Sequence, residues 1–315
     1  MKFDAMEIQT KNGLKNAISH LENANPESAK RILESLFEYE FECPELIFTA
    51  DCCNFWIPCI TQLSEIENPF ERGELLLTEW KNFQPFVARK TYTFEPALEA
   101  TEHGIFSCAL ENYSQLFDER DMFQRAEIYR KAGLCCKKLG KFEDAEEYLS
   151  KANTAQPGSA AVLAELADCY ALCGEDRNAK VLFREAFFVD PEHIDLLFLD
   201  SELIKSLIAK VMEKGYVGAV LQQWLPVYGT LLGVFSIKRE LKVQEMSKLK
   251  QEIYALENEL KDPSSDNALL TPRLINLYFW LIDYYLGTNN SNKPINDTLL
   301  KIKILDATIY ELYVK

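Results

Sequence analysis

The sequence predicts an all-α protein built from paired helices, and three observations support this fold class. Two stretches, 126–157 and 160–191, place equivalent residues at a shift of 34 positions. Apolar and small residues recur within each stretch at steps of three and four, which is the periodicity of an amphipathic helix. No segment sustains the apolar–polar alternation that is typical of a β-strand. A fixed period of this length indicates a repeat architecture in which helical hairpins stack.

Small residues delimit the helices of each repeat. Gly140 and Gly174 lie where the first helix must end, and glycine adopts the left-handed conformation there without steric cost. Ala145 and Ala179 lie where the two helices of a hairpin are expected to cross closely. A proline then ends the second helix or opens the next one, because proline has no amide hydrogen to donate. These prolines are Pro157 and Pro191.

These residues resemble the tetratricopeptide repeat family, whose pattern is W-x2-L-G-x2-Y, then A-x3-F, then P, over 34 residues. The first repeat matches with Tyr129-x2-Ala132-Gly133-x2-Cys136, Ala145-x3-Leu149 and Pro157. The second repeat matches with Leu163-x2-Leu166-Ala167-x2-Tyr170, Ala179-x3-Phe183 and Pro191. The resemblance covers residues 126–191 and implies a right-handed superhelical α-solenoid whose concave groove binds other proteins.

The resemblance also implies which residues line the groove, because the first helix of each hairpin faces it in this family. The first repeat would present Glu127, Arg130, Leu134, Lys137 and Lys138. The second repeat would present Ala161, Ala164, Asp168, Ala171 and Leu172. Small residues would leave room for a ligand backbone, and charged residues would pair with a partner, although a solvated face that binds nothing specific is the alternative for any one of them.

Some members of the family clamp the C-terminal carboxylate of a chaperone with cations and amides. Arg130 is in place for the first cation, but Leu134 replaces an expected amide. Glu165 and Asp168 lie where amides or cations would help, and carboxylates facing a carboxylate would repel it. The sequence therefore argues against a carboxylate clamp.

Residues 1–120 predict diverged helical hairpins that lack the 34-residue period. Asn25–Pro26 and Asn68–Pro69 are helix-start signals, with asparagine as the cap and proline at the first helical position. Pro44 is expected to open another helix, which Pro58 breaks or kinks. A further helix is expected from about Phe94 to Leu116.

After Pro191 the sequence departs from the repeat pattern. Residues 193–212 predict one helix of about twenty residues, and 216–224 its partner, so the pair would form a third, capping unit. The stretch 215–237 contains no charged residue and is long enough to span a bilayer. Gln222, Gln223, Pro226 and several glycines interrupt it, so we expect a buried hairpin instead.

The C-terminal part predicts three more helices. Residues 236–260 form a charged helix whose Met246, Leu249, Ile253, Leu256 and Leu260 follow a heptad spacing. The heptads allow a coiled coil with another chain or packing on the helix's own stack, and two heptads favour the latter. Residues 262–267 are a linker, Pro272 starts an aromatic helix, and 287–294 is a polar loop. A last helix is expected from Asn296 or Asp297 to Tyr313, and its apolar residues are Leu300, Ile304, Ile309 and Leu312.

Composition limits the function classes. The chain has 315 residues, 34 basic and 49 acidic, for a net charge of −15. Binding to nucleic acid or an anionic membrane needs clustered Lys and Arg, so neither is expected. The first residues lack the apolar core of a signal peptide, and nine cysteines without one indicate a reducing compartment such as the cytoplasm.

The sequence contains no residue pattern that is typical of catalysis, metal binding or phosphate binding. The cysteines have no C-x-x-C spacing, the three histidines fall in no catalytic or zinc motif, and no glycine-rich phosphate loop occurs. The sequence therefore predicts no metal site, no cofactor and no catalytic activity.

The sequence thus predicts a non-catalytic scaffold or adaptor that binds a protein or peptide segment in the groove. The alternative is a structural subunit of an oligomer assembled through the C-terminal helices. By sequence character the chain divides into 1–120, 121–235 and 236–315, and we expect these parts to stack as one solenoid. The first 120 residues either continue the superhelix or fold back across the groove.

Overall fold

The computed structural model describes residues 2–288 and 292–315, with side chains described from residue 9 onward. Those residues form fifteen α-helices and two short 3-10 turns, with no β-strand among them. The all-α prediction is therefore confirmed. The chain divides into two compact units, Met1–Pro157 and Gly158–Lys315. This boundary falls between the two repeats, while the three-part division by sequence character and the right-handed superhelix stay predictions.

The first unit contains seven helices. They are α1 Lys2–Glu22, α2 Pro26–Phe37, α3 Pro44–Leu63, α4 Pro69–Ala88, α5 Glu95–Ser114, α6 Met122–Lys138 and α7 Phe142–Ala155. The predicted caps are present, because the Asn25 side chain accepts from the Ser28 amide at 3.1 Å and the Asn68 side chain from the Phe70 amide at 2.9 Å. Helix α3 continues through Pro58 to Leu63.

An aromatic cluster fills the interior between α3, α4 and α5. Its members are Trp56, Trp80, Phe83 and Phe106, all at most 2% exposed. Glu74 on α4 then joins the next two helices, because its carboxylate accepts from the Tyr113 hydroxyl of α5 at 2.6 Å and from Lys131 Nζ of α6 at 2.9 Å. The predicted N-terminal hairpin packs against this layer through a close approach at Gly104, where an added Cβ would lie 2.2 Å from the Leu21 carbonyl oxygen.

The described residues of the second unit form eight α-helices and the two 3-10 turns. They are α8 Ala160–Leu172, α9 Asp176–Val189, the turns Pro191–His193 and Leu196–Phe198, α10 Glu202–Met212, α11 Gly218–Leu231, α12 Val243–Glu259, α13 Asn267–Gly287, α14 Asn292–Leu305 and α15 Ala307–Val314.

The turn chemistry of both repeat hairpins is as predicted. Gly140, between α6 and α7, has φ +69°, and Gly174, between α8 and α9, has φ +80°. Ala145 and Ala179 are fully buried within their hairpins. At Gly133 an added Cβ would lie 2.6 Å from Leu149 Cγ, so this position needs glycine for the close approach of α6 and α7.

The prediction of a single helix over residues 193–212 is wrong. The chain forms two 3-10 turns and then α10, which has only 11 residues. The reason is a buried carboxylate 32 residues earlier: Asp168 accepts from the Asp200 and Ser201 amides, both at 2.8 Å, and so holds the start of α10. The charge-free stretch contains α11, which packs against α10 and α13 and extends beyond the predicted 216–224.

One helix among the described residues is long and apolar enough to cross a membrane by length and composition, and it is α3 rather than the 215–237 stretch. Its Leu46, Phe48, Cys52 and Trp56 are buried. A core helix passes the same test of length and composition, so α3 gives only weak evidence for a span.

Helix α12 begins at Val243, seven residues after the predicted start. The segment before it is held in a non-helical path by Arg239, which donates to Glu185 at 2.6 Å and to Glu245 at 2.9 Å. The Glu245 carboxylate also accepts from the Lys242 amide at 2.7 Å. Four heptad residues, Met246, Leu249, Ile253 and Leu256, are buried, and α12 packs on α13. This face therefore serves the chain's own packing.

The last helices differ from the predicted ones. Helix α13 starts at Asn267, where Asp266 caps it, and passes through Pro272, which removes only one intrahelical hydrogen bond. The predicted polar loop 287–294 is mostly helical at its ends, and residues 289–291 lie outside the described residues.

The predicted final helix is two helices, because Asp306 accepts from the Ile309 amide at 3.0 Å and starts α15. The buried residues of these helices are Thr298, Ile302 and Ile309. Leu300, Ile304 and Leu312 are 57%, 76% and 42% exposed, so the apolar residues of the predicted helix do not form one buried face. The break at Asp306 ends the single helical register on which that face depended.

A buried ion pair ties α9 to α13 in the second unit. Arg184, 4% exposed, donates to the Asp283 carboxylate and to the Ile237 carbonyl at 3.2 Å. Its guanidinium also lies over the Trp280 ring, 4.6 Å from the centroid. These contacts hold the non-helical segment before α12 against the second helix of the repeat.

Candidate functional site

The groove residues predicted in the first unit all lie on α6, but their exposures differ. Glu127 and Arg130 form an ion pair one turn apart, with Arg130 Nε donating to Glu127 at 2.8 Å. Burial alone would raise the pKa of Glu127, but the hydrogen bond from Arg130 and the nearby Lys131 outweigh burial and hold it below its usual value. Leu134 and Lys137 are 1% and 3% exposed, so they contribute shape and local charge from beneath the surface.

Lys138, the last predicted groove residue of α6, borders a depression within the first unit. The depression has a volume of about 490 Å³ and is lined by α1, α5 and the end of α6. Its polar lining residues are Glu22, Glu99, Glu102, His103 and Lys138. Lys138 Nζ lies 3.7 Å from Glu102 and 5.9 Å from the Phe106 ring centroid. The depression therefore presents side chains of both charge signs.

The groove residues predicted in the second unit lie on α8. Ala161, Ala171 and Leu172 are half-buried, so they form a small and apolar accessible surface. Ala164 is 1% exposed and Asp168 is fully buried. The role of all ten residues in ligand binding stays a prediction.

Asp168 has a structural role that sequence reasoning missed. Both oxygens of its carboxylate accept backbone amides at the start of α10, as described above. The sequence does contain one indication of this role, because an acidic residue on the buried face of a repeat helix needs hydrogen-bond donors. Its partners lie beyond the repeat pattern, so spacing alone did not identify them.

Nucleophilic and metal chemistry finds little support in the side-chain arrangement. Burial raises the pKa of Cys52, Cys53 and Cys59 to about 12, which keeps these thiols protonated. Cys169 and Cys173, four residues apart, differ in environment, because the first is buried and the second exposed. Among the described residues no group of three or more His, Cys, Asp or Glu side chains is arranged to hold a metal ion.

Comparison with known proteins gives one result for the repeat region. Residues 138–199 match the model of the tetratricopeptide repeat, a segment that includes α7, α8, α9 and both 3-10 turns. A comparison with curated proteins finds no match. Repeats of this family typically serve protein–protein interaction and are generally non-catalytic. Residues 138–199 therefore match a tetratricopeptide repeat, and the described helices around them fit an all-α protein that carries such a repeat.

Proposed function

We propose that this chain is a non-catalytic adaptor or scaffold that binds a protein or peptide segment on the first-helix faces of its repeats. The observation that carries the proposal is the match of residues 138–199 to a repeat whose usual ligand is another protein. Hairpins with left-handed glycine turns and close alanine crossings support it, because they give such faces a rigid backbone.

The accessible part of the α6 face supports a polar contact. The Glu127 side chain is 40% exposed and held in place by Arg130, so little side-chain entropy remains to be lost on binding. The depression beside Lys138 offers both signs of charge to a ligand. A ligand segment is expected to be oriented there by paired charges.

The α8 face supports an apolar contact. Ala161, Ala171 and Leu172 present short side chains, which let a ligand backbone approach closely. We expect Leu134, Lys137, Ala164 and Asp168 to act through the shape and charge of the face, because they are buried.

We also propose that the chain works in a reducing compartment such as the cytoplasm, without a cofactor and without a nucleic-acid or membrane ligand. None of the nine cysteines forms a disulfide bond, which is typical of a protein in a reducing compartment. The net charge of −15 disfavours polyanionic ligands.

One observation favours the alternative of an oligomeric structural subunit. Leu300 and Ile304, four residues apart on α14, are 57% and 76% exposed and share one helix face. A second protein surface is a natural cover for such a pair. A homo-oligomer would show a mass that is a multiple of 36.2 kDa by light scattering, and Ile304→Glu would return it to the monomer.

The adaptor proposal is tested by site-specific photo-crosslinking in lysate of the source organism. A photoreactive amino acid replaces Glu127 or Ala161, and the matched control replaces Lys151, an exposed residue of α7. We expect one discrete protein to crosslink from the first two positions and not from the third. Equal crosslinking at all three positions, or none at any, would contradict the proposal.

A further inference from the structure

A small polar cavity lies in the second unit, outside every residue that the repeat pattern assigns to the groove. Its volume is about 130 Å³, and it is lined by residues 187–192 and by side chains of α11, α12 and α13. These side chains are Gln223, Glu252, Arg273, Asn276 and Leu277. The cavity therefore lies where the end of the second repeat meets the C-terminal helices of the same unit.

The cavity contains a buried hydrogen-bond acceptor that has no donor. Gln223 is 2% exposed, and its Nε2 donates to Glu192 Oε1 at 2.9 Å. Its Oε1 is buried and accepts no hydrogen bond. Asn276, which lines the same cavity, is 5% exposed. Since buried polar groups are nearly always satisfied, the free acceptor points to an occupant that donates hydrogen bonds.

The charges around the cavity favour a cationic occupant. Three carboxylates line it, those of Asp190, Glu192 and Glu252, against one guanidinium, that of Arg273. Arg273 is already engaged, because its Nη2 donates to Glu252 at 2.8 Å. His193 contacts Asp190 at 2.7 Å from outside the lining. The net balance is negative, so a positive charge placed here is attracted rather than repelled.

The size and the apolar lining favour the end of a side chain over a free metabolite. Pockets for small molecules usually span about 300–1,000 Å³, well above the volume found here. Phe187 and Leu277 are among the lining residues, so a part of the wall is apolar. Lysine and arginine combine an apolar stem with a donor-rich head, which is the combination this cavity accepts.

We propose that this cavity is a subsite for the ammonium or guanidinium group of a lysine or arginine side chain of a protein partner. The head group donates to Gln223 Oε1 and pairs with the carboxylates of Glu192 and Glu252, and the stem lies along Phe187 and Leu277. The proposal rests on the proposed function in one respect: a protein partner supplies the side chain.

The test is a titration of the full chain followed by NMR of the Gln223 and Asn276 side-chain amides. The probes are Nα-acetyl-arginine methylamide and Nα-acetyl-lysine methylamide, and the control probe is Nα-acetyl-citrulline methylamide, which has nearly the shape of the arginine probe without its charge. We expect saturable shifts of both amides with the cationic probes and none with citrulline. Glu252→Gln should weaken binding about tenfold, because hydrogen bonds to ionised groups are the strong ones.

Glu259→Gln is the matched control variant, since it removes a charge from the same helix α12 outside the cavity. It should leave the affinity for the cationic probes unchanged. Gln223→Met, which removes the free acceptor at similar volume, should weaken binding as Glu252→Gln does. Glu252 is partly exposed, so its variant keeps the test valid even where Gln223→Met does not fold.

The proposal is overturned by equal shifts with citrulline, by unshifted Gln223 and Asn276 amides, or by a crystal structure in which a water bound to Gln223 Oε1 persists at saturating probe. Such failure alongside specific crosslinking from Glu127 and Ala161 would refute only this subsite. Selective binding of the cationic probes without any crosslinked partner would instead refute the adaptor function, and with it delivery of the side chain by a protein.

Discussion

The two compact units are both helical, but several of their buried polar side chains find partners at different distances along the chain. In the first unit Thr49, Thr101 and Asn112 donate to carbonyls four residues earlier in their own helices, at 2.6–2.8 Å. In the second unit Asp168 accepts from residues 32 and 33 positions away, and Arg184 donates to Asp283, 99 positions away. These three groups in the first unit are thus satisfied within their own helices, although the buried Tyr113 hydroxyl reaches Glu74, 39 positions away, and the interrupted segments of the second unit are held by distant side chains.

This difference follows from what each interior must accommodate. Helices of 20 residues, such as α3, α4 and α5, satisfy nearly all of their own backbone groups and meet through aromatic and small residues. The segments around 190–201 and 232–242 are not α-helical, so many of their amides and carbonyls need partners from elsewhere. Side chains of the second unit supply those partners.

Breaking the Arg184–Asp283 pair should have the largest effect. Arg184→Met leaves the buried Asp283 carboxylate with Lys238, 2.5 Å away, as its remaining cation and should lower the free energy of unfolding by about 3 kcal/mol. Arg184→Met/Asp283→Leu should recover most of that loss, because an apolar replacement of both groups removes the buried carboxylate that has lost its main partner. Urea unfolding followed by circular dichroism measures both.

The matched control for that pair is Lys205→Met, which breaks the more exposed pair between Lys205 and Asp200, 3.0 Å apart. It should cost less than about 1 kcal/mol. A loss for Arg184→Met no larger than that of the control would contradict the importance of distant polar partners in the second unit.

The stability of the first unit should be most sensitive to added side-chain volume where two helices approach each other closely. Gly133→Ala places a Cβ 2.6 Å from Leu149 Cγ and should destabilise the protein by about 1–3 kcal/mol through overpacking. Gly287→Ala, at a helical glycine with open space around it, should change stability by less than about 1 kcal/mol. Thermal unfolding of both variants measures the two effects, and equal melting temperatures would rule out the steric explanation.

Asp168 caps helix α10 from a distant part of the chain, and weakening this cap should destabilise the protein more than changing a cap that is adjacent to its helix in sequence. Asp168→Asn keeps one acceptor for two amides and should cost about 1–2 kcal/mol. Asp266→Asn should cost almost nothing, since asparagine caps a helix as well as aspartate does. Hydrogen exchange should accelerate at the Asp200 and Ser201 amides in the first variant, and unchanged exchange there would refute the cap.

The smallest effect is expected at Glu245. Its hydrogen bond with Arg239 is the main reason why its pKa lies below the usual carboxyl value. A folded-state pKa below the unfolded one adds stability above the ordinary pKa, and this is lost as the pH falls through the folded value. Glu245→Gln should therefore destabilise by under about 1 kcal/mol at neutral pH and by less at acid pH, between about pH 5 and pH 2. Molar salt should shrink the difference, and a difference that grows on acidification would contradict it.

Sequence patterns predicted those parts of the fold whose determinants lie within a few residues. The turn glycines Gly140 and Gly174 and the Asn25 and Asn68 caps were all identified, because each acts on its own helix. The helix predicted over 193–212 failed because Asp168, far away in sequence, captures the amides where α10 begins.

The same reasoning explains which parts of the candidate sites could be predicted from the sequence. The repeat resemblance implies ten groove residues but does not predict their burial, so it groups the buried Leu134 and Asp168 with accessible positions. The cavity around Gln223 brings together residues from four helices and a turn, and no spacing along the chain relates them. Only the packed structure reveals the unsatisfied oxygen.

The Arg184–Asp283 contact also bears on how the chain is made. Synthesis proceeds from the N-terminus, and domains begin to fold as they emerge. The second helix of the repeat, with Arg184, leaves the ribosome well before Asp283 exists, because 99 positions separate them. During that interval the hairpin carries a guanidinium that the finished protein buries. The second unit is thus expected to reach its native packing only late in translation, while the first unit already has its own interior.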